Sequence, residues 1–490
     1  MTTSAWVRKE TRGLDLKDRR LNERLCEVLS QLSACPTAGI PAACGGHAEM
    51  TAAYRLFDNE KADFASILKP HRDATRERIG FQPVVVLAQD TTELDLTRPE
   101  QQMIGAGMLD GSERRGAFLH LLHAFTPDGT PLGTVGAHVW SRGDPAMSNR
   151  SLTRAQRAAA PMEDKESFRW VETQKMAIEE ARACPSTQVV TVADSESDIY
   201  EVFVESQDAP RNWDWIVRAA QDRALKRIGE EVGADVAVSQ CMASRPDRFR
   251  MTVSVRARTA LHAIETRRRR QTRESREAEL SVRSGSVTLR PPWRPVARPP
   301  EVTLHVVMAR EITPPEGEEP VEWVLFTSLP IETDDEVRRV LDYYRTRWMI
   351  EIFFRVLKSG CRVEERRFER LQRWEVCLAV YLIVAWRTLY VTRVSRSCPD
   401  QSCTVVFTPS EWKSVWKVVR RQSLPDREPR LDEMIRLVAQ LGGYVNRKRP
   451  DPPGVQTIWL GLQRMHDMAA CWDAFGPEAD ADKDADSGDV

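Results

Sequence analysis

Three widely spaced acids in this 490-residue chain have the character needed for phosphoryl chemistry: Asp90, Asp194 and Glu351. Asp90 closes the apolar run Pro83-Val-Val-Val-Leu-Ala-Gln, and Asp194 closes Gln188-Val-Val-Thr-Val-Ala. A carboxylate buried at such a place is costly unless a cation or hydrogen-bond donors meet it. Each has a plain alternative, because Asp90-Thr-Thr92 suits a turn or N-cap and Asp194-Ser-Glu-Ser-Asp198 suits the cap of a following helix. With Glu351 added, the set matches a two-metal site, where divalent ions about 3.5–4 Å apart clamp the attacking and leaving oxygens of an in-line displacement. Magnesium suits it, since it takes hard oxygen ligands and keeps water positions open. The expectation is two Mg2+ ions per site, with Mn2+ able to substitute.

Glu351 belongs to the segment Thr333–Gly360, which starts with the capping-box spacing Thr333-Asp-Asp-Glu336 and ends on a glycine stop. The spacing predicts one long helix. At about 100° per residue, Tyr344, Arg347, Glu351 and Lys358 fall within about 60° of one another. A face bearing a phenol, a guanidinium, a carboxylate and an ammonium is costly to bury against an apolar core. It suits a surface that binds metal and phosphate. The plain alternative is a solvated helix face with an Arg347–Glu351 pair.

The elements that must position these residues are legible around them. Residues 1–75 read as helical, with an apolar stripe at Leu21, Leu25, Val28, Leu29 and Leu32 and basic residues around it, a module compatible with DNA reading. From residue 80 the pattern turns to strands: the run into Asp90, then Ala117–Phe125 and Leu132–Trp140 joined by Thr126-Pro-Asp-Gly-Thr130. A helix over Glu163–Cys184 precedes the strand into Asp194, a short helix spans Ile199–Glu205, and Trp213–Arg218 forms another strand. This order predicts an α/β mixed sheet with helices. Residues 220–330 read as a β-rich insertion of short strands broken by Pro291, Pro292, Pro295, Pro299 and Pro300, with a basic cluster at Arg267–Arg270, Arg273 and Arg276. His120 and His123, on a strand, read as core histidines and not ligands. Gly105-Ala-Gly-Met-Leu-Asp-Gly111 looks like a nucleotide fingerprint only superficially, since it opens no clear βαβ unit.

The bulk composition narrows the classes. A net charge of −1 argues against a uniformly basic nucleic-acid coat. Six acids against Lys483 put −5 on residues 477–490, an acidic tail expected to be disordered, and leave +4 on the rest. The ten cysteines form no CxxC pair and read as reduced thiols of a cytoplasmic protein, here nucleoid-associated. The N-terminus is charged where a signal peptide needs an apolar core. The longest apolar run, Val376–Trp386, is short of the about 20 residues of a membrane span and reads as a buried core helix. No membrane partner is expected.

At these residues the chain resembles a known family, the cut-and-paste DDE transposases of the insertion-sequence-4 group, most closely the Tn-five-like type. The family signature Tyr-x2-Arg-x3-Glu-x6-Lys appears as Tyr344, Arg347, Glu351 and Lys358. The first-Asp motif appears as LAQDTTELDL around Asp90, and the second as VADSESDIYEVF around Asp194. Further agreement lies in WIVRAA around Arg218, PVEWVLFTSLP around Trp323, and LGGYVNRKRPDPPGVQTIWLGLQRM near the C-terminus. The match is strong over residues 80–375 and 435–475, and weak in the N-terminal helices and over 385–435.

The resemblance implies an RNase H-like catalytic core with a β insertion between the second Asp and the Glu, flanked by N- and C-terminal helical domains. It divides the chain into an end-binding domain (1–75), a catalytic domain (76–395, insertion about 220–330), a dimerisation domain (396–476) and the tail (477–490). It implies a homodimer on double-stranded DNA, both transposon ends and target, that nicks one strand, forms a hairpin and joins the opened end to target. Asp90, Asp194 and Glu351 take the metal-binding catalytic roles. Tyr344, Arg347 and Lys358 match a clamp on the 5′ phosphate, with Arg355 close by. Trp323 matches a tryptophan that stacks on a flipped base, Arg218 a residue near the DNA, and Arg24 and Arg55 contacts to the transposon end. Other readings remain: an RNase H-like nuclease or resolvase that cuts without joining, a non-cleaving end-binding protein, or a sugar hydrolase using paired acids. The last leaves the Tyr-Arg-Lys face without purpose.

Overall fold

A computed structural model describes residues 4–110, 113–143, 162–205, 209–226, 236–257, 274–294, 298–445 and 452–477. Arg267–Arg270 and Arg273 of the basic cluster, and the acidic tail from residue 478, lie outside the described residues. Arg276 is ion-paired with Glu311 (3.0 Å) and Glu318.

The chain opens with five helices: α1 (Ala5–Glu10), α2 (Arg19–Ala34), α3 (Ile40–Ala43), α4 (His47–Phe57) and α5 (Phe64–Gly80). Asp18 caps α2 by accepting from the Arg20 amide, and Leu25, Val28, Leu29 and Leu32 are buried as the stripe predicts. Proline at position 70 suggests a helix boundary, yet α5 runs through it. The buried face of Ile67, Leu68, His71, Ala74, Thr75 and Ile79 offsets the roughly 3 kcal/mol cost of an interior proline.

Among the described residues, ten strands form a single sheet: β1 (Val84–Asp95), β2 (Gly107–Met108), β3 (Arg115–Phe125), β4 (Pro131–Trp140), β5 (Gln188–Ala193), β6 (Trp213–Arg218), β7 (Phe249–Val255), β8 (Arg276–Leu289), β9 (Val302–Glu311) and β10 (Glu322–Thr327). The order is β2-β3-β1-β5-β6-β10-β9-β8-β7, with β4 also on β3. Strands β4-β3-β1-β5-β6 are the RNase H-like core: an antiparallel meander followed by two strands parallel to β1. The β3–β4 turn needs Gly129 at φ +89, a conformation that favours glycine. The β-rich insertion extends this same sheet through the antiparallel pairs β6–β10, β10–β9, β9–β8 and β8–β7. Its expected fragments 279–283 and 286–289 are one continuous strand, β8, because Gly285 stays in register opposite Val306.

Helix α6 (Phe168–Ala183) covers one face of the sheet. The other is covered by α9 (Asp334–Thr346) and α10 (Trp348–Arg355), which pack on β1 and β5. Two short helices, α7 (Tyr200–Val204) and α8 (Val238–Ala243), connect strands. Helix α11 (Leu371–Ser397) is much longer than the eleven-residue apolar run suggested, because arginines and a glutamate interrupt its apolar composition towards both ends. Among the described residues it is the one helix long and apolar enough to cross a membrane, yet 83% of its most apolar window is buried in protein. It packs against α2, α4, α5 and β4, and also against α13 (Leu431–Leu441) and α14 (Val455–Phe475). Helix α12 (Pro409–Arg420), opened by a Thr408–Glu411 capping box, completes the C-terminal bundle.

Candidate active site

Strand alternation aims the first two acids. Val86 and Ala88 of β1 face the core beneath α9–α11, while Val85 and Leu87 face α6. Asp90 has the parity of Val86 and Ala88, and so faces α10. On β5, Val190 and Val192 face the same side, which gives Asp194 the same direction. The parallel register pairs Gln89 with Ala193, so Asp90 and Asp194 are the next residues along two neighbouring chains, Asp90 still in β1 and Asp194 just past the end of β5. Asp90 does not end its strand. β1 continues to Asp95 against β3 alone, since β5 has stopped at Ala193. Asp194 caps the turn that follows, accepting from the Glu196 amide at 2.9 Å.

The helix carrying Glu351 is not continuous. Thr333 and Glu336 form the expected capping box. At Arg347 the helix tightens, with i→i+3 bonds from the Arg347 amide to Tyr344 (3.1 Å) and from Ile350 to Arg347 (3.0 Å). At Val356–Gly360 it widens into a π turn. Neither proline nor glycine marks the first change, so nothing in the local residues announces it. The widened turn is a form often found at functional sites, and Gly360 fits it against α14, where a Cβ would stand 3.2 Å from the Trp459 ring.

Arg347 joins two of the acids. Its Nη1 donates to Asp90 Oδ2 at 3.2 Å and its Nη2 to Glu351 Oε1 at 2.6 Å. The Arg347 and Asp90 side chains are 12% and 14% exposed, and that of Glu351 36%. Burial, then the charge of Asp194, pushes the Asp90 pKa up to about 7, and Arg347 only partly offsets this. Burial lowers the pKa of Arg347 itself, but Tyr344, Asp90 and Glu351 outweigh that and hold it above its ordinary value. Tyr344 is buried, which raises its phenol, and its ring centroid lies 6.0 Å from the guanidinium carbon. Half-buried Trp323 stands 6.4 Å from the Tyr344 ring, and exposed Arg218 ends β6 with a 3.4 Å bond to the Glu322 carbonyl.

Lys358 lies within the π turn and approaches Glu364 at 3.7 Å, and Glu364 in turn accepts from the Asp95 amide. Arg355 is exposed at the end of α10. Arg24, paired with Glu27 at 2.8 Å, and exposed Arg55 lie on α2 and α4, and among the described residues neither has a contact with the pocket.

Several neighbours escaped the sequence reading. Arg169 on α6 is 13% exposed and ties the two Asp loops together, donating to Thr91 Oγ1 and pairing with Glu196, each at 3.2 Å. One proton assignment satisfies a chain behind Asp90: Arg169 to Thr91, Thr91 to His120 Nδ1 (2.8 Å), His120 Nε2 to Thr173 (3.1 Å), Thr173 to Gln89 (2.6 Å). His120 is fully buried, and burial drives its pKa well down, as a neutral ring in this chain requires. Buried Asp198 accepts from the Ala220 (2.8 Å) and Gln221 (3.0 Å) amides and from Arg223 (2.7 Å), which fixes the loop after Arg218. The acids two and four positions after Asp194 were the visible signal for this arrangement. Nothing in the sequence marks Arg169, whose role depends on how α6 meets β1.

Among the described residues, no three His, Cys, Asp or Glu side chains stand close enough to enclose a metal ion as they are placed. The donor set nevertheless fits a hard divalent cation. Three carboxylates from three elements face one another here, near enough for Asp194 and Glu351 both to act on Asp90 through their charge, and carboxylate oxygens are the ligands such a cation takes.

Comparison with known families adds three matches. Residues 3–62 match the family described as Transposase DNA-binding, residues 171–386 that described as Transposase DDE domain, and residues 383–471 that described as Transposase Tn5 dimerisation domain. Among solved structures, the cryo-EM structure of a piggyBac transposase synaptic complex with hairpin DNA is similar at a TM-score of 0.36 and 10% identity, over 80% of this chain and 72% of that one. A likeness that loose carries no argument.

Proposed function

The chain belongs to the Tn5-like DDE transposases, and from that premise we propose that it cuts and rejoins DNA at element ends through a magnesium site held by Asp90, Asp194 and Glu351. The observation that carries this reading is the shared direction of Asp90 and Asp194 on adjacent parallel strands, with Glu351 reaching the same pocket through Arg347.

Bound divalent ions would supply activation of water or a DNA 3′-hydroxyl and neutralise charge on the phosphate. The chain's own residues do the rest. Asp90, Asp194 and Glu351 hold the cations. Arg347 and the Tyr344 hydroxyl orient phosphate oxygens, for which a forked guanidinium is well shaped. Trp323, beside Tyr344, offers a stacking surface for an unpaired base in hairpin formation, and Arg218 meets the backbone nearby. Lys358 and Arg355 extend the phosphate track along α10 and the π turn. Arg24 and Arg55 contact the element end from the N-terminal helices (1–75), the catalytic domain spans 76–395, and residues 396–476 pair two copies.

Incubation of the full-length chain with duplex DNA bearing the element's flanks and Mg2+, with products resolved, tests this. Nicks, hairpins and joined products are expected. Glu351→Ala should abolish all three and still bind DNA, and full cutting by that variant would remove Glu351 from the site. Cutting without joining would leave a nuclease. Trp323→Ala should spare the first nick and lower hairpin yield about tenfold, in keeping with roughly 1–3 kcal/mol per stacked base.

A further inference from the structure

The pocket brings three carboxylates together, and one guanidinium is forked between two of them. Arg347 reaches Asp90 at 3.2 Å and Glu351 at 2.6 Å with different nitrogens. It therefore stands between the two carboxylates and takes one oxygen of each that a shared cation would otherwise use. The side chain is held there by burial and by the Tyr344 ring at 6.0 Å. The tightened turn at residue 347 fixes its root.

Building on the reading of these acids as metal ligands, we propose that Arg347 is a tethered counter-ion that competes with the divalent cation for Asp90 and Glu351. DNA opens the site by drawing the guanidinium onto a phosphate.

Two features support this. Charge balance calls for it: without Arg347 or a cation, three acids share one half-buried pocket. Guanidinium also pairs with phosphate as readily as with carboxylate, in the same two-pronged geometry. A DNA phosphate entering beside Tyr344 thus offers Arg347 a replacement partner. The consequence is that metal affinity is low away from DNA and rises on it, which keeps the acids from cutting indiscriminately.

The test is equilibrium Mn2+ binding to the full-length protein, read from the loss of the free-ion electron paramagnetic resonance signal. Arg347→Ala should bind Mn2+ about tenfold tighter than the wild type without DNA, a typical coupling between linked sites. Arg347→Gln, close in length and uncharged, should do the same and guards against a folding failure in the alanine variant. Duplex DNA bearing the element's terminus should raise wild-type affinity towards that of the variants and leave theirs unchanged. Mn2+ binding no tighter in either variant, while Asp90→Asn and Glu351→Gln lose it, would overturn the competition and leave the metal site standing. Wild-type Mn2+ binding in Asp90→Asn and Glu351→Gln would overturn the metal site and this proposal together.

Discussion

Two buried carboxylates, Glu10 and Asp90, are each bonded to an arginine and behave in opposite ways. Glu10 ends α1 at 2% exposure and accepts from Arg78 Nη1 and from His71 Nδ1, both at 2.6 Å. The other ring nitrogen of His71 accepts from the Thr134 amide at 3.1 Å, so the ring donates to Glu10 as a neutral imidazole. Burial raises the Glu10 pKa, but His71 and Arg78 outweigh it and hold it at about 2. Asp90 must share its arginine with Glu351, faces Asp194, and is pushed up to about 7. The first acid has a donor for each oxygen and binds α1 to α5 and β4. The second is desolvated and faces another acid while sharing its one arginine, and a strongly shifted group in such a place marks a candidate functional site.

Substitutions at the two acids should therefore divide activity from stability. The largest effect is expected at Asp90→Asn, which should lower cleavage by roughly a thousandfold or more, as loss of a transition-state charge contact does. Product gels with element-end DNA would show it, and residual cutting near wild type would break the contrast. Next, Glu10→Ala leaves His71 and Arg78 without their carboxylate and should cost about 3–5 kcal/mol in denaturant unfolding, while the fraction that remains folded keeps its cleavage rate. A loss below about 1 kcal/mol would mean that Glu10 is no more than a surface-type pair.

The pH dependence sharpens the same point. The folded pKa of Glu10 lies below its ordinary value of 4.5, so its contribution is whole above about 4.5 and is lost as pH falls through about 2. The stability gap between wild type and Glu10→Gln should thus be about 3 kcal/mol near neutrality and shrink steadily below pH 4.5. A gap that widened on acidification would contradict the pairing. The smallest effect concerns stability at Asp90. Replacing a carboxylate whose charge is disfavoured should leave the metal-free fold unchanged or steadier by about 1 kcal/mol, the usual trade between function and stability. Calorimetry in chelator would detect it, and a marked loss would show that Asp90 is structural after all.

Much of this was legible in the chain. The apolar runs leading into Asp90 and Asp194 announced two strands, while their parallel pairing, which sets both acids on one face, is a tertiary fact. Thr333 and Glu336 announced their helix. What remained hidden depended on distant partners. Whether the insertion is a separate layer or a continuation of the sheet turns on the pairing of β10 with β6, which local propensity does not encode. The tightening at Arg347 involves no special residue, and neither it nor the π turn that holds Lys358 follows from uniform helical geometry. Arg169 became visible only once α6 was laid across β1. Pro70 shows the converse, a strong local signal overruled by burial on both sides of it.

Helix α11 has a consequence for synthesis. A ribosome releases this long apolar rod before α12, α13 and α14 exist to cover it, and by composition it would pass for a bilayer span. Its other partners, α2, α4, α5 and β4, have already emerged. The N-terminal helices are therefore expected to shelter it during translation, an internal counterpart of a chaperone. Crosslinking in nascent chains stalled just far enough past Ser397 for α11 to clear the exit tunnel should capture α11 against α5, and its capture by membrane-targeting factors instead would show that shelter comes later.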